Sequence, residues 1–357
     1  MTKINNNPDW WDPYSCQPYK LQDTDKPRLS AANLWEYGKI AATALILSPA
    51  VAIRYALLEK KPRVPLNEMA GLSINTHPEW QTAHVEMVED IGVKNLLIRI
   101  PSWDTENLDQ YLKFMSLFPD CEFVVNILQS RDSVANQSQW KTQIQTIFEQ
   151  VSPLCTHFKI GNAFNRSKWG CRHSGEAIKL LEIADQLRQA KFPELFLLGS
   201  GIIDFEPLIT LRTLFNFSEY QYDACASLMY INRRGSAFGK QYGFFDLEKK
   251  LKLTKAMLEL SNNTKNRLWI TETNWPLLDT KPYTPNSGHP RSTVNEQTQA
   301  EYLTEYFTVA SMTGWIERTY WWQLINPGYG LVDHRSGTLR KMPSYFAFKA
   351  LFDTHHN

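Results

Sequence analysis

The feature that most constrains the fold is a rhythm. From Pro65 onward, short apolar runs rich in β-branched residues alternate with longer segments of helical periodicity, the pattern of strands and covering helices around a parallel sheet. Eight such runs occur, at 71–75 (GLSIN), 95–100 (NLLIRI), 122–128 (EFVVNIL), 157–162 (HFKIGN), 195–203 (LFLLGSGII), 224–231 (ACASLMYI), 267–274 (RLWITETN) and 318–324 (RTYWWQL). Helical patterns stand between them at 107–118, 139–151, 174–190, 246–261 and 296–312. Eight βα units close a parallel sheet on itself, so the expected fold is α/β, a (β/α)8 TIM barrel with an N-terminal helical extension. Its chemistry is expected at the C-terminal ends of the strands. The chain has 357 residues, more than the roughly 250 a barrel needs. The expected division is an extension at 1–65 and a barrel at 66–357.

The extension begins irregularly, with Pro8, Pro13, Pro18 and Pro27, and reads as helical from about Ser30. Within it, residues 40–53 (IAATALILSPAVAI) carry no charge between Lys39 and Arg54. That run falls short of the roughly 20 residues that span a bilayer, and Pro49 interrupts it. Two readings stay open. One is a buried helix pair packed on the barrel; the other is a peripheral membrane contact through 40–53, helped by Arg54, Lys60, Lys61 and Arg63. The sequence MTKINNNPDWWDPY shows no basic region leading into an apolar core, and Cys16, Cys121, Cys155, Cys171 and Cys225 have no CxxC spacing. A cytoplasmic location is therefore expected, with peripheral attachment at the inner face of the membrane as the alternative.

Composition excludes several classes. With 43% hydrophobic and 21% charged residues there is ample material for a core, and 38 basic against 37 acidic residues provide no cationic field for a nucleic acid. No HExxH, Walker A, GxSxG or GxGxxG motif stands in context, and the histidines lack metal-ligand spacing, so neither a metal nor a cofactor is expected. The 12 Trp, 15 Tyr and 18 Phe suit stacking on sugar faces and equally suit a large packed core. Trp10-Trp11 and His355-His356 are too isolated to interpret.

The seventh run reads LWITETNWP and ends on Glu272, a carboxylate where a barrel would place catalytic groups. The fourth continues as KIGNAFNRSKWG. It resembles the IGNEPN motif that closes the fourth strand in clan A retaining glycoside hydrolases, and the seventh run resembles their nucleophile motif. The stretch YWWQLINPGYGLVDHRSGTLRKMPSYFAFKAL resembles their tryptophan-bearing last strand, GL-D-x-x-G turn and final helix. The similarity covers about 68–353. It implies a carbohydrate substrate or ligand and action on O-glycosidic bonds, with Glu272 as nucleophile and Asn162 on the sugar 2-hydroxyl. Tyr230 would orient the nucleophile, Arg99 would lie near it, and Trp322 or its neighbour Trp321 would form a sugar platform with Trp275 close by. Asn165, with Arg166, Lys168 and Trp169, is a candidate polar subsite for sugar or phosphate.

One position departs from the pattern. The acid/base glutamate expected after Asn162 is Ala163, followed by Phe164 in place of proline. Retaining hydrolysis uses two carboxyl groups about 5 Å apart, one to attack the anomeric carbon and one to protonate the leaving oxygen and later activate water. Alanine can do neither, and general acid–base assistance is worth roughly 10²–10⁴ in rate. Asp204, Glu206, Asp104, Glu106 and His77 are replacements by topology alone. Three readings remain: a glycosidase with impaired or atypical acid/base catalysis, a carbohydrate-binding pseudoenzyme, and an engineered knockout of the acid/base residue.

Overall fold

A computed structural model describes residues 7–24, 30–285 and 292–353; His355 and His356 lie outside them. Eight parallel strands form a closed barrel: β1 (Ala70–Ile74), β2 (Asn95–Pro101), β3 (Glu122–Leu128), β4 (His157–Ile160), β5 (Phe196–Ile203), β6 (Ala224–Leu228), β7 (Leu268–Thr273) and β8 (Ile316–Trp321). Each expected run is a strand, with bounds that agree to within three residues. The covering helices are α1 (Gln81–Ile91), α2 (Leu108–Met115), α3 (Gln137–Val151), α4 (Ser174–Lys191), α5 (Pro207–Leu214), α6 (Leu247–Leu258), α7 (Glu296–Thr313) and α8 (Pro343–Lys349).

Side chains alternate along each strand, so one set faces the barrel axis and the other the helices. Ile98, Val125, Phe158, Ile270 and Trp321 join the continuous core under the helices, whereas Leu97, Val124, Leu198, Trp269 and Tyr320 fill the barrel floor. Gly71 makes that floor possible, because a Cβ there would lie 2.6 Å from two carbons of the Tyr320 ring. The floor is solid packing, which leaves the C-terminal mouth as the place for a site.

The extension corrects one expectation. Residues 40–53 belong to a single continuous helix, Ala31–Leu57, which runs through Pro49 instead of breaking into a pair. Ser30 caps it by accepting from the Asn33 amide. Proline removes one backbone donor; on a helix this exposed, water can satisfy the freed carbonyl. The helix is also mostly unburied, with Leu45 81% and Ile46 73% exposed. It lies along the barrel wall, tied near its start by Glu36 to Arg212 of α5 and near its end by Arg54 to Glu259 just beyond α6. It is long and apolar enough to cross a membrane by length and composition.

Part of the irregular stretch before this helix, within the described residues 7–24, has regular structure. Trp11–Asp12 and Gln17–Pro18 pair as a small antiparallel hairpin, whose turn is held by the Asp12 carboxylate accepting from the Tyr14 amide and the Ser15 hydroxyl.

Candidate active site

Glu272 reaches the mouth through a local irregularity. Between Thr319 and Trp321 the eighth strand advances two residues while the seventh advances three, from Ile270 to Thr273. Such an extra residue breaks the alternation and re-aims a side chain. There Glu272 accepts from two side chains: Arg99 Nη2 from the end of β2 on Oε2, and the Tyr230 hydroxyl, just past β6, on Oε1. Arg99, Tyr230 and Glu272 are all buried. Burial, with the Glu272 charge adding to it, holds the Tyr230 phenol well above its ordinary range, so the phenol stays a donor. Arg99 is fixed in turn by the Trp322 indole, 3.4 Å from the guanidinium carbon to the ring centre.

Asn162 stands in the same mouth on a scaffold of its own. The Gln129 side chain accepts from the Asn162 amide at 2.8 Å and donates to the carbonyls of Asn162 and Trp169, both at 2.8 Å. The Asn162 Oδ1 accepts from Lys159, whereas its Nδ2, also buried, has no partner among the described residues. Lys159 points inward below it, and burial lowers its amine well below the ordinary lysine range against the opposing pull of Glu272. Gly161 precedes this cluster at φ 71°, where a Cβ would sit 2.1 Å from the Phe164 ring. Ala163 follows in the same left-handed region at φ 46°.

Several other expected site residues are spent on structure. The Asn165 side chain bridges to the Ile203 backbone, donating to its carbonyl at 2.8 Å and accepting from its amide at 3.0 Å. Arg166 pairs with Asp204 at 2.7 Å and Glu206 at 2.6 Å, which ties up two of the candidate replacement acids. Asp104 accepts from Tyr111 at 2.7 Å and Asn107 at 2.6 Å, and Glu106 is exposed. His77 stacks on His84 at 5.8 Å. Trp321 and Trp275 stack on each other at 5.9 Å in the layer beneath the helices, and the Trp275 indole donates to the Gly235 carbonyl. Of the Trp321–Trp322 pair, only Trp322 contacts the Arg99–Glu272 centre.

Other residues in the mouth carried no local signal. Arg234 packs its guanidinium 3.4 Å from the centre of the Tyr230 ring and donates to the Asn274 carbonyl at 2.8 Å. Trp11 of the hairpin is buried in one apolar cluster with Ala163, Trp169 and Tyr230. The space beside Ala163 is therefore filled by the chain itself. Among the described residues no group of acidic, histidine or cysteine side chains could hold a metal ion.

The same architecture occurs in solved glycosidases. A monomeric β-xylosidase from Caulobacter crescentus CB15 matches with a TM-score of 0.58 at 13% identity, covering 82% of this chain and 69% of that one. A family 39 glycoside hydrolase from Bacteroides cellulosilyticus WH2 matches at 0.59 and 12% identity, over 84% and 66% of the two chains. The chain has the same (β/α)8 barrel fold as these proteins. A β-glucosidase from Exiguobacterium marinum matches this barrel with a TM-score of 0.56 at 10% identity, covering 82% of this chain and 98% of that one. No protein-family model matches the sequence, and no curated protein sequence matches it.

Proposed function

We propose that this glycosidase-like barrel binds a saccharide in its mouth and uses Glu272 as a nucleophile on O-glycosidic bonds, with acid/base assistance impaired at Ala163. The observation that carries the reading is the seating of Glu272 between Arg99 and Tyr230 at the C-terminal end of β7. The unpartnered side-chain Nδ2 of Asn162 nearby is a free donor for a sugar hydroxyl, and buried donors without partners are uncommon unless a ligand or water meets them.

In this reading a carboxylate oxygen of Glu272 attacks the anomeric carbon as the bond to the leaving oxygen breaks. No acid protonates that oxygen, so an aryloxide, which departs with its electron pair and needs no proton, is the competent leaving group. The test is turnover of 2,4-dinitrophenyl β-xyloside and β-glucoside with and without azide. Azide attacks the anomeric carbon of the intermediate and releases the Glu272 carboxylate without a general base. Turnover that rises with azide and disappears in Glu272→Gln supports the reading; no Glu272-dependent reaction with either glycoside counts against it.

A second reading, a saccharide-binding pseudoenzyme, is favoured by the commitment of Asp204 and Glu206 to Arg166. Saccharide binding without any aryl glycoside reaction would select it. We also propose peripheral attachment at the inner face of a membrane through the exposed side of the helix Ala31–Leu57. Its two ends are ion-paired to the barrel wall, and the hairpin before it touches the barrel after it, which favours a helix lying on the bilayer over one crossing it. Release by high-salt or alkaline washing supports this proposal; recovery only with detergent contradicts it.

A further inference from the structure

We infer that residues 8–19 form a removable plug in the barrel mouth, so that the Glu272 centre is reached only when this hairpin leaves. The identity of what enters rests on the proposed function; the plug itself does not.

The barrel closes without the hairpin, whose own ladder is two residue pairs and which pairs with no barrel strand. It sits on the functional groups through side chains. Trp11 packs edge-on against Trp103 at 5.6 Å and Trp169 at 5.9 Å, in the cluster that contains Ala163 and Tyr230. A glutamate at position 163, which is fully buried in that cluster, would have to displace packed side chains. The second anchor is polar: Arg99, while holding Glu272 with one nitrogen, donates through Nη1 to the Cys16 carbonyl at 3.0 Å. Lys168 donates to Gln17 from the far side, and Asn75 donates to the Cys16 sulfur at 3.3 Å.

What lies under the hairpin argues that the cover is temporary. A carboxylate, a phenol and the unpartnered Asn162 Nδ2, none of them needed for barrel closure, are buried in the same mouth, and Trp11 shares an apolar cluster with the phenol. An aromatic ring packed among Trp103 and Trp169 occupies the kind of surface on which a sugar face would stack. The outer side of the hairpin is wet, with Tyr14 and Tyr19 about half exposed, and a cavity of about 610 Å³ lined by Asp9, Tyr19, His77 and Arg99 opens beside it. Segments with few buried contacts and exposed backbone open locally at a small fraction of the global unfolding free energy. Asp12 does not substitute for the missing acid, because both of its oxygens cap the hairpin's own turn.

The test reads Cys16, which is half-buried in the docked hairpin and whose thiol burial raises above its ordinary range. Maleimide modification of Cys16 in the full-length protein, followed by peptide mass mapping, measures opening. Trp11→Ala should speed it by at least about tenfold, since large aromatic truncations in packed sites shift stability by well over one decade in equilibrium constant. Gln17→Ala, a milder change that cannot perturb the barrel core, should speed it by a smaller factor. Asn75→Cys, oxidised with diamide to a disulfide with Cys16, should then hold the mouth shut: 2,4-dinitrophenyl glycosides and xylobiose should have no access until the bond is reduced. Acceleration of Cys16 labelling by xylobiose or cellobiose would support the plug and the saccharide reading together. Opening by Trp11→Ala with no response to either sugar would support the plug and count against the saccharide reading. Unchanged labelling in both Trp11→Ala and Gln17→Ala, or hydrogen exchange of residues 8–19 as slow as that of the barrel strands, would overturn the plug.

Discussion

Arg99 and Glu272 are each 8% exposed and directly paired, which makes a strong demand on stability. A buried carboxylate that loses its only cationic partner costs about 3–5 kcal/mol, whereas replacing both partners by apolar groups of similar volume is close to neutral. Arg99→Met keeps a long side chain over Trp322 but leaves Glu272 with only the Tyr230 hydroxyl. It also removes the donor to the Cys16 carbonyl, a bond worth roughly 1 kcal/mol. The expected loss is therefore about 3–5 kcal/mol, which at about 2 °C per kcal/mol for a large domain lowers Tm by roughly 6–10 °C. Glu272→Leu alone strands the guanidinium and should cost a similar amount. The Arg99→Met, Glu272→Leu double variant should recover at least about 2 kcal/mol over the sum of the single changes. Urea unfolding followed by far-UV circular dichroism at neutral pH closes the cycle. An Arg99→Met loss below about 1 kcal/mol, or additivity within about 0.5 kcal/mol, would refute the coupled buried pair.

Three further outcomes follow from named contacts. Tyr230→Phe removes a donor to Glu272 and should destabilise by about 1–3 kcal/mol, read by the same unfolding assay, while slowing aryl glycoside reaction through Glu272. His84 is buried with Nδ1 on the Trp80 carbonyl and no partner at Nε2, and burial lowers it from 6.5 to about 4. The unfolded chain thus binds a proton that the folded one refuses in that window, so stability is full above pH 6.5 and falls as pH drops towards 4, by about 3 kcal/mol. His77, stacked on it and lowered in the same direction, adds to that fall. His84→Gln should flatten the profile measured by urea midpoints across pH 4–7; an unchanged slope contradicts the assignment. Ala163→Glu should cost about 1–3 kcal/mol by overpacking against the Trp11 cluster. Trp11→Ala should relieve that cost in the double variant and raise turnover of unactivated glycosides; strictly additive losses contradict the shared space.

Much of the architecture was legible because the barrel repeats one local signal eight times. Apolar β-branched runs such as 95–100 and 122–128 can bury both faces only in a parallel sheet covered by helices, and β2 and β3 lie where those runs lie. Glu272, Asn162, Tyr230 and Arg99 were legible as strand-end residues, and the structure brings all four into one mouth. What was not legible depends on contacts between distant segments. Trp321 and Trp322 differ only in the side of the strand they face, and a bulge in β7 decides where Glu272 points. Nothing near Trp11 in sequence announces that it joins a cluster with Ala163, about 150 positions away. Asp204 and Glu206 looked free because their partner, Arg166, lies on another loop. The helical reading of 40–53 holds, and only the expected break at Pro49 fails, for a local reason: proline costs one hydrogen bond, and an exposed helix can lose one without breaking.

The proposed function makes Glu272 a nucleophile facing an anomeric carbon. Its most direct test is incubation of the Trp11→Ala protein with 2,4-dinitrophenyl 2-deoxy-2-fluoro β-xyloside and β-glucoside, followed by intact mass and peptide mapping. The fluorine slows both steps, and the missing carboxylate at Ala163 slows release further, so a glycosyl-enzyme should accumulate. One added fluoroglycosyl group is expected, located on the peptide that contains Glu272 and lost on addition of azide. An adduct elsewhere, or none with either reagent while Cys16 labelling shows the mouth open, would contradict it.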